Sequence, residues 1–447
     1  MSNKIKVAMV SLGCSKNQVD AEQMMAKIAD RGYAFVAEPG MADIVLVNTC
    51  GFIQSAKEEA IGWIMELIDL KNEGRIKRIV VTGCLSERYR DQFAEEFPEI
   101  DAVVGIAEYG KIADIIDGLA DFEKPSHEEG APAVCYFGRK ESHSMEGKRI
   151  ISTLPHYAYL RIADGCDNCC TYCAIPAARG KVRSKKPTDV LREVRLLTEN
   201  GCREIVLTGI ETASYGNDLD GYGFADLLCD IDRIEGVGRV RIGSIDPSVM
   251  REDFVKKIAE LHCLAPHFHI SMQSGSNKIL AAMKRKYNRE IALRNMELLR
   301  KYIKDVNFTT DIIVGFPGET DEDFRDTVDL AEKAKFLAIH VFSYSKRAGT
   351  PAAAMKNQVP EAVKHARSAE LIAVSKRLTA EILEKFISEN EKVPVLFESH
   401  ESGYAYGHTP SFVEVRAKSD VPLHGEIREV KPLSFSDGTV TGEITED

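Results

Sequence analysis

The sequence predicts an α/β protein in three parts. Apolar runs of strand length alternate with amphipathic runs of helix length over residues 1–145, which predicts a parallel α/β domain. The alternation continues over residues 150–385, where six strand-like runs predict an open (β/α)6 barrel. Over residues 388–447 the helical pattern stops, and short strands separated by Gly and Pro predict a small antiparallel β-barrel.

The first part is built from three short apolar runs separated by helical segments. The predicted strands are Lys4–Ser11, Ile44–Asn48 and Arg78–Thr82. An amphipathic helix is predicted over Ala56–Leu70. Residues 121–149 mix charge with Pro, His and Gly, so they are predicted to form a linker or an edge strand.

The second and third parts follow the same reasoning. The predicted barrel strands are Ala158–Ala163, Glu204–Thr208, Arg239–Ser244, His267–Met272, Asn307–Val314 and Ala338–Ser343. A helix is predicted over Asp189–Asn200, and Thr320 with Asp323 predicts a capping box at the start of another. The predicted strands of the third part are Val393–Glu398, Phe412–Ala417, Gly425–Val430 and Val440–Ile444.

Composition limits the class of protein. No apolar run reaches the length of about 18 residues that a membrane helix needs, and the N-terminus lacks the pattern of a signal peptide. These features predict a cytoplasmic protein without a membrane partner. Eleven cysteines are many for a reducing compartment, so some are expected to bind metal or act in catalysis. The net charge of −11 argues against a generally nucleic-acid-binding surface but permits local basic patches.

The segment GCDNCCTYCAIP, residues 165–176, carries the strongest local signal. Its spacing Cys166-x3-Cys170-x2-Cys173 places three thiols on one short loop after a predicted strand. Three thiolates can hold three irons of a [4Fe–4S] cluster and leave the fourth iron for a small chelating ligand. A zinc knuckle is the alternative, but zinc sites usually add a second Cys or His pair, which does not follow here. Cys169 could also pair with Cys166, and the choice of Cys170 depends on the spacing.

A second set of cysteines is spread along the first part. Cys14, Cys50 and Cys84 each follow an apolar strand-like run, with separations of 36 and 34 residues. In a parallel sheet the carboxyl ends of the strands share one rim, so the three thiols are expected to converge there. Buried cysteines also occur as ordinary core residues, which is the structural alternative.

The two cysteine sets in this order, followed by a small β-domain, resemble the methylthiotransferases of the radical S-adenosylmethionine (SAM) superfamily. The resemblance covers essentially the whole chain. It implies a radical SAM [4Fe–4S] cluster on Cys166, Cys170 and Cys173. It also implies an auxiliary [4Fe–4S] cluster on Cys14, Cys50 and Cys84, and a C-terminal TRAM domain that binds substrate.

The resemblance also implies a reaction. Reductive cleavage of one SAM would give a 5′-deoxyadenosyl radical that abstracts hydrogen from an unactivated C–H bond. A second SAM would supply the methyl group, and the auxiliary cluster would present the sulfur. A reductase or flavodoxin-type protein is the expected electron donor. In such enzymes the cofactors carry the difficult chemistry, and the protein positions them and excludes water.

Two branches of the family share the resemblance. The segments SLGCSKNQVDAE, NTCGFIQSAKEEA and TGCLSERY resemble the branch that modifies an aspartate of ribosomal protein S12. Six segments resemble the branch that acts on N6-threonylcarbamoyladenosine-37 of tRNA: EIVLTGIETASYG, RVRIGSIDPS, HFHISMQSGSNKIL, TTDIIVGFPGET, HVFSYSKRAGTPAA and GYAYGHTPSFVEV. Because the second group lies in the parts expected to face the substrate, methylthiolation of tRNA at C2 of this nucleoside is predicted, with S12 as the alternative.

Weaker signals accompany these motifs. The turn from Gly315 to Glu319 follows a predicted strand and resembles a SAM-contacting turn of the superfamily, with an ordinary tight turn as the alternative. Glu211, at the end of another predicted strand, is a further candidate SAM contact. Two basic runs are candidate phosphate contacts or, alternatively, solvated surface; the first is Arg179, Lys181, Arg183, Lys185 and Lys186, and the second is Lys284, Arg285 and Lys286. Arg183, Lys185, Lys284 and Lys286 are the predicted RNA-binding residues. Residues 392–447 contain five Lys or Arg and ten Asp or Glu, a balance that suits a basic protein partner better than RNA.

Two other classes of protein fit part of the pattern. A non-catalytic iron–sulfur or zinc protein that binds RNA would share the cysteines, but a structural site needs no open coordination position. A different radical SAM enzyme that inserts sulfur would share the clusters but lack the TRAM-like end. About eight irons per chain would indicate two clusters, whereas zinc without iron would exclude the enzyme.

Overall fold

The computed structural model describes residues 4–128, 131–140, 143–154 and 156–445. The chain divides into two compact units. The first unit comprises Met1–Ser152, Asp164–Asp167 and Ala174–Lys185, and the second comprises Thr153–Ala163, Asn168–Cys173 and Lys186–Asp447. Among the described residues, no helix combines the length and the apolar character needed to cross a bilayer.

The first unit contains a six-stranded parallel sheet with the order β2-β1-β3-β4-β5-β6. Its strands are β1 (Lys6–Ser11), β2 (Ala34–Phe35), β3 (Ile44–Thr49), β4 (Arg78–Gly83), β5 (Ala102–Val104) and β6 (Val134–Tyr136). Its helices are α1 (Ser15–Asp30), α2 (Gln54–Asn72), α3 (Cys84–Glu96), α4 (Ile112–Leu119) and the short α5 (Ile175–Arg179).

The sheet of the first unit is buried on both faces. Val45 and Val47 of β3 pack into one apolar core, whereas Ile44 and Leu46 pack into another. Alternate side chains of a strand point to opposite faces, so a continuous apolar run is what a sheet covered by helices on both sides requires. The three predicted strands and the helix between them are confirmed. Within 121–149 the edge-strand alternative is realised by β6, which pairs with β5.

The second unit begins with a six-stranded parallel sheet with the order β14-β13-β12-β11-β10-β7. Its strands are β7 (Tyr157–Arg161), β10 (Glu204–Thr208), β11 (Arg239–Ile245), β12 (Leu264–Gln273), β13 (Asn307–Val314) and β14 (Ala338–Ser343). Its helices are α6 (Pro187–Glu199), α7 (Phe224–Asp232), α8 (Glu252–Ala259), α9 (Asn277–Ala282), α10 (Arg289–Tyr302), α11 (Asp321–Ala334) and α12 (Glu361–Ser388). The two-residue strands β8 (Ala163–Asp164) and β9 (Arg183–Ser184) precede and follow the cysteine loop in the sequence.

The sheet order confirms the open six-stranded barrel, because the first and last strands are at opposite edges. Phe308 and Ile312 of β13 join the apolar core that includes residues of the helices. Thr309 and Asp311 alternate with them and therefore lie on the other, inner face of the sheet. The capping box is also confirmed: the Thr320 backbone N donates to Asp323 Oδ2 (2.9 Å), and the Asp323 backbone N donates to Thr320 Oγ1 (3.3 Å).

The second unit ends in a closed five-stranded barrel with the order β15-β16-β17-β19-β18. Its strands are β15 (Val393–Glu401), β16 (Tyr404–His408), β17 (Glu414–Lys418), β18 (Ile427–Ser436) and β19 (Thr439–Ile444). The predicted barrel is confirmed, although only four of its five strands were predicted, and β16 was not among them. One of the five pairings, between β17 and β19, is parallel rather than antiparallel.

Candidate iron–sulfur centres

Three cysteines of the first unit lie at the carboxyl ends of neighbouring strands. Cys14 follows β1, Cys50 directly follows β3, and Cys84 directly follows β4. The order β1-β3-β4 makes these three strands adjacent. Parallel strands end on one rim, so the sheet brings the three predicted ligands to one edge, where open α/β folds place their sites.

Glycines next to these cysteines allow the three loops to approach closely. Gly13 has a φ of +91°, and a Cβ there would lie 2.5 Å from Cys50 Cβ and 2.9 Å from Cys50 Sγ. Gly83 has a φ of +106°, and a Cβ there would lie 2.2 Å from Thr49 O. Side chains at either position would therefore force the cysteine loops apart, and both backbones adopt conformations that favour glycine.

The three thiols differ in exposure. Cys14 is exposed, Cys84 is intermediate and Cys50 is buried. Burial raises the pKa of the Cys50 thiol, and it raises the pKa of Cys84 to about 11. Iron binds the thiolate, so binding of a cluster would release these protons.

A cavity of about 270 Å³ opens beside Cys14, lined by Ser11–Cys14, Gln18 and Ser152. Three sulfur donors on one rim form a ligand set that fits an iron–sulfur cluster.

The cysteine loop is held at its start by a tight turn. Gly165 has a φ of +75°, and a Cβ there would lie 1.9 Å from Lys181 O. The next residue, Cys166, donates from its backbone N to Gly180 O (3.1 Å). These contacts lie within the first unit and fix the backbone of Cys166.

The rest of the loop belongs to the second unit. Cys170 and Cys173 pack against an apolar cluster that includes Tyr172, Ile313 and Phe316. Within the loop, the Cys173 backbone N donates to Cys170 O (3.1 Å).

Backbone bonds and an arginine secure this part of the loop. The Thr171 backbone N donates to Met283 O (3.1 Å), and the Ala352 backbone N donates to Thr171 O (2.9 Å). Arg347 Nη1 donates to Tyr172 O (2.8 Å). Residues that follow two different barrel strands, β12 and β14, therefore fix the loop beside the carboxyl end of β13.

The surroundings favour Cys170 over Cys169 as a cluster ligand. Cys169 is exposed, whereas Cys170 packs with Cys173 against the same apolar cluster. Arg285 Nη1 also donates to Cys170 Sγ (3.3 Å). Hydrogen bonds of this kind to ligand sulfurs are a common feature around iron–sulfur clusters.

Glu211 lies after β10, next to the cysteine loop. Asn168 Nδ2 donates to Glu211 Oε2 (3.3 Å). Burial and the neighbouring Asp246 raise the pKa of Glu211 to about 7. A bound ammonium group would favour the charged carboxylate, so the position fits recognition of an amino group.

Gly315 and Glu319 form the turn after β13. Gly315 has a φ of +71°, and its backbone N donates to Glu319 Oε1 (2.8 Å). The same carboxylate accepts a hydrogen bond from Arg367 Nη1 (2.7 Å). The Glu319 side chain therefore faces its own turn and shapes it, while contact between SAM and the backbone at Gly315 stays a prediction.

The inner face of the barrel sheet carries a polar cluster. His269 Nε2 lies 3.3 Å from Asp311 Oδ2, and the ring of His340 lies 5.8 Å from that of His269. His267 is buried, and its Nε2 shares Thr309 Oγ1 with His269 Nδ1, each at 3.0 Å. His267 and His269 therefore lie on the same face of β12. Potential ligand atoms of His269, Asp311 and His340 all lie within 4.8 Å of one another.

The predicted RNA-binding residues divide into two pairs. Arg183 Nη1 donates to Arg179 O (3.2 Å), and its Nη2 lies 3.5 Å from Asp164 Oδ2. Lys185 is buried, with 5% exposure. Their positions argue against phosphate contacts, because such contacts require an accessible cation. Lys284 and Lys286 are exposed, so phosphate contact stays a prediction for these two residues.

Two family descriptions match the chain. The Radical SAM superfamily matches residues 160–331, and Uncharacterized protein family UPF0004 matches residues 6–105. The chain is 38% identical over 393 residues to the ribosomal protein uS12 methylthiotransferase RimO of Clostridium tetani, covering 88% of this chain and 86% of that protein. The chain belongs to the radical SAM methylthiotransferases.

Other methylthiotransferases extend the similarity. The ribosomal protein uS12 methylthiotransferase RimO of Clostridium kluyveri is 39% identical and covers 91% of this chain and 89% of its own length. The protein of the same name from Acetivibrio thermocellus is 35% identical over 99% of this chain and 98% of its own length. This methylthiotransferase is therefore a SAM-dependent radical enzyme, and its membership implies SAM and a [4Fe–4S] cluster as cofactors.

Solved structures show the same fold at low sequence identity. The radical S-adenosylmethionine methyltransferase TsrM of Kitasatospora setae has a TM-score of 0.61 and 15% identity. The match covers 78% of this chain and 77% of the TsrM chain. The cobalamin-dependent S-adenosylmethionine radical enzyme OxsB has a TM-score of 0.52 and 14% identity, covering 85% of this methylthiotransferase and 56% of that chain.

Sequence reasoning did not identify three residues near the cysteines. Arg285 and Arg179 were assigned to the basic runs, and Asn17 was not singled out. Arg285 contacts Cys170, while Arg179 and Asn17 are buried beside Cys84. A charge run gives no sign of which of its members turn inward, so position in the sequence could not have separated them.

Proposed function

We propose that this enzyme methylthiolates an aspartate of ribosomal protein S12. The observation that carries the proposal is the similarity to uS12 methylthiotransferases along nearly the whole chain, at 38% and 39% identity. Motifs in the barrel and in the third part predict tRNA as the substrate, whereas the similarity to the relatives favours the alternative, S12. The acidic third part, with a balance of −5 over residues 392–447, is also better suited to a basic protein than to RNA.

The proposed radical site lies on the loop after β8. A [4Fe–4S] cluster would be held there by Cys166, Cys170 and Cys173. When bound, this cluster would supply the electron that cleaves SAM. Arg285 stabilises the thiolate of Cys170 through its hydrogen bond. Glu211 would bind the amino group of SAM, and the turn at Gly315 would border it. The apolar cluster beside Cys170 and Cys173 keeps water from this side of the loop.

The proposed sulfur-delivery site lies on the rim of the first unit. Cys14, Cys50 and Cys84 would hold the second [4Fe–4S] cluster. The exposed Cys14 and the adjoining cavity give the rim an opening through which sulfur species could enter. The buried Cys50 and the partly buried Cys84 anchor the other side. In this proposal, one ligand set would serve radical generation and the other would serve sulfur delivery.

A second candidate substrate is tRNA, with N6-threonylcarbamoyladenosine-37 as the modified nucleoside. The specific observation that favours it is the inner-face cluster of His269, Asp311 and His340. A carboxylate at Asp311 would repel the aspartate side chain of S12 if that residue entered the barrel, but it would accept hydrogen bonds from a neutral nucleoside. The exposed Lys284 and Lys286 would then be available to phosphates.

A strain that lacks this gene separates the two candidates. Peptides of S12 and nucleosides of total tRNA from the deletion strain and its parent would be compared by mass spectrometry. We expect the methylthio group on S12 to disappear and the tRNA nucleosides to stay unchanged. Loss of 2-methylthio-N6-threonylcarbamoyladenosine with intact S12 modification would contradict the proposal. Complementation with the wild-type gene and with its Cys50→Ala variant provides the matched controls.

A further inference from the structure

Asn17 joins two of the cysteine loops of the first unit. It lies in α1, three residues after Cys14, and is fully buried. Its Nδ2 donates to Leu12 O (3.1 Å) and to Thr49 O (3.0 Å). Leu12 lies two residues before Cys14, and Thr49 directly precedes Cys50. One amide group therefore fixes the spacing of two loops that carry predicted cluster ligands.

The oxygen of the same amide reaches the third loop. Cys84 Sγ donates to Asn17 Oδ1 at 3.7 Å. Arg179 Nη2 donates to the same oxygen at 2.9 Å. An asparagine side chain offers two N–H donors and two acceptor lone pairs, and here all four are used. Because Arg179 has only donors, it fixes which end of the amide faces Cys84.

Arg179 is itself held in place by carboxylates. Its Nη2 donates to Asp20 Oδ2 (2.9 Å), and its Nη1 lies 3.2 Å from both oxygens of Asp164. The guanidinium is fully buried, so removing one partner would leave a buried charge incompletely paired. The planar fork of arginine can bind the amide and the carboxylates together, which the single ammonium of lysine cannot do in the same geometry.

The Arg179 cation also lies close to one of the ligand sulfurs. Arg179 Nη2 and Cys84 Sγ both bind Asn17 Oδ1, so the cation and this sulfur share one hydrogen-bond acceptor. A positive group at this position would partly balance the negative charge of thiolates bound to iron.

We propose that Asn17, oriented by Arg179, is a positioning residue for the auxiliary cluster. The pair sets the spacing of Cys14, Cys50 and Cys84 before iron arrives. Once Cys84 has lost its proton to bind iron, the bonds of Asn17 to Leu12 O and Thr49 O still hold the first two loops, and Arg179 lies beside the Cys84 thiolate. The inference deepens the proposed function and depends on its second cluster. Outer-sphere partners of this kind typically change metal affinity by about 10- to 100-fold when they are removed.

The test uses the full chain with Cys166, Cys170 and Cys173 all replaced by Ala, so that only the auxiliary cluster can form. Asn17→Ala, Asn17→Asp and Arg179→Lys would be added separately to this background. Arg78→Met is the matched control, because Arg78 is a buried arginine at the opposite end of β4 from Cys84. The measurements are iron retained against a chelator, the electron paramagnetic resonance spectrum, the midpoint potential and the melting temperature without iron.

The parent should hold about four irons per chain. We expect Asn17→Ala and Asn17→Asp to lower the affinity for the cluster by about 10- to 100-fold and to change its spectrum and potential. Arg179→Lys, which keeps the charge, should produce a smaller change of the same kind. Failure of the parent to bind iron would overturn the second cluster of the proposed function, and the inference with it.

Other outcomes would overturn the positioning role of Asn17 and Arg179 alone. Wild-type retention, spectrum and potential in both Asn17 variants would overturn it while leaving the proposed function intact. An equal loss of iron in Arg78→Met would also overturn it, because the effect would then reflect general destabilisation. If Asn17→Ala lowers the melting temperature, Arg179→Lys becomes the deciding variant. An altered spectrum and potential in Arg179→Lys at an unchanged melting temperature would support the positioning role of Asn17 and Arg179. An unaltered spectrum and potential in that variant would contradict it.

Discussion

Arg285 donates a hydrogen bond from Nη1 to Cys170 Sγ at 3.3 Å while its Nη2 binds Asp246 Oδ2 at 2.8 Å. The arginine is thus fixed by a carboxylate and directed at a predicted ligand of the radical SAM cluster. Hydrogen bonds to ligand sulfurs stabilise the added negative charge of a reduced cluster and so raise its reduction potential.

Arg285→Met is therefore expected to lower the reduction potential of the radical SAM cluster. Because a cluster of lower potential is harder for its electron donor to reduce, SAM cleavage should slow by about 10- to 100-fold. Potentiometry followed by electron paramagnetic resonance would measure the shift, and the exposed neighbour provides the control variant Lys284→Met. An unchanged potential in Arg285→Met would show that the contact with Cys170 does not act on the cluster.

The two cysteine sets should fail in different ways. Cys170→Ala should abolish formation of 5′-deoxyadenosine, because the radical cluster would lose a ligand. Cys50→Ala should preserve that activity and stop formation of the methylthiolated product, because the two sets serve different steps. Chromatography of 5′-deoxyadenosine together with mass spectrometry of the substrate measures both. Normal SAM cleavage by Cys170→Ala but not by Cys169→Ala would reassign the ligand.

Buried His267 should make stability depend on pH. Burial lowers the pKa of His267 well below its usual value, and the charge of Arg241 acts in the same direction. The folded protein therefore keeps His267 neutral, whereas the unfolded chain takes up a proton below about pH 6.5. This contribution to stability is present above that pH and is lost as the pH falls, by up to ~1.4 kcal/mol per pH unit.

His267→Gln should reduce that dependence. The variant is expected to be less stable near neutral pH, because the hydrogen bond to Thr309 changes, but to lose less additional stability between about pH 6.5 and 5. Denaturant unfolding at a series of pH values measures the slope, with the exposed His340→Gln as control. Equal slopes for wild type and His267→Gln would contradict the prediction.

The exposed lysines distinguish the candidate substrates. Replacing Lys284 and Lys286 by Gln should leave methylthiolation of isolated S12 unchanged, since no polyanion takes part. If tRNA were the substrate, each lost phosphate contact would reduce the salt dependence of binding by about one unit of slope. Binding of tRNA across a range of salt concentrations gives this slope. A double variant inactive on S12 but folded would place these lysines in the S12 interface.

Most strands and the rim of cysteines could be predicted from the local pattern of apolar and polar residues. β10, β13 and β14 have the predicted bounds, because each is rich in β-branched residues, which favour strands. The rim of Cys14, Cys50 and Cys84 followed from the parallel sheet alone. β16 was missed because Tyr404–His408 alternates aromatic residues with Ala and Gly, which gives a weak apolar signal.

The remaining features depend on contacts between distant residues. Asn17 and Arg179 are 162 residues apart, and neither belongs to a periodic pattern that predicts their contact. The inward orientation of Arg285 and the burial of Lys185 were hidden for the same reason, since a run of basic residues is usually exposed. The parallel pairing of β17 with β19 depends on closure of the whole barrel rather than on either strand.

Modification of S12 by the purified enzyme is the most direct test of the central claim. Protein reconstituted with both clusters would be incubated with SAM, a reductant, and S12 and tRNA bearing N6-threonylcarbamoyladenosine-37 in the same reaction. Both substrates would then be analysed by tandem mass spectrometry. We expect a methylthio group on an aspartate of S12 and none on the nucleoside. Product on the tRNA with unmodified S12 would contradict it.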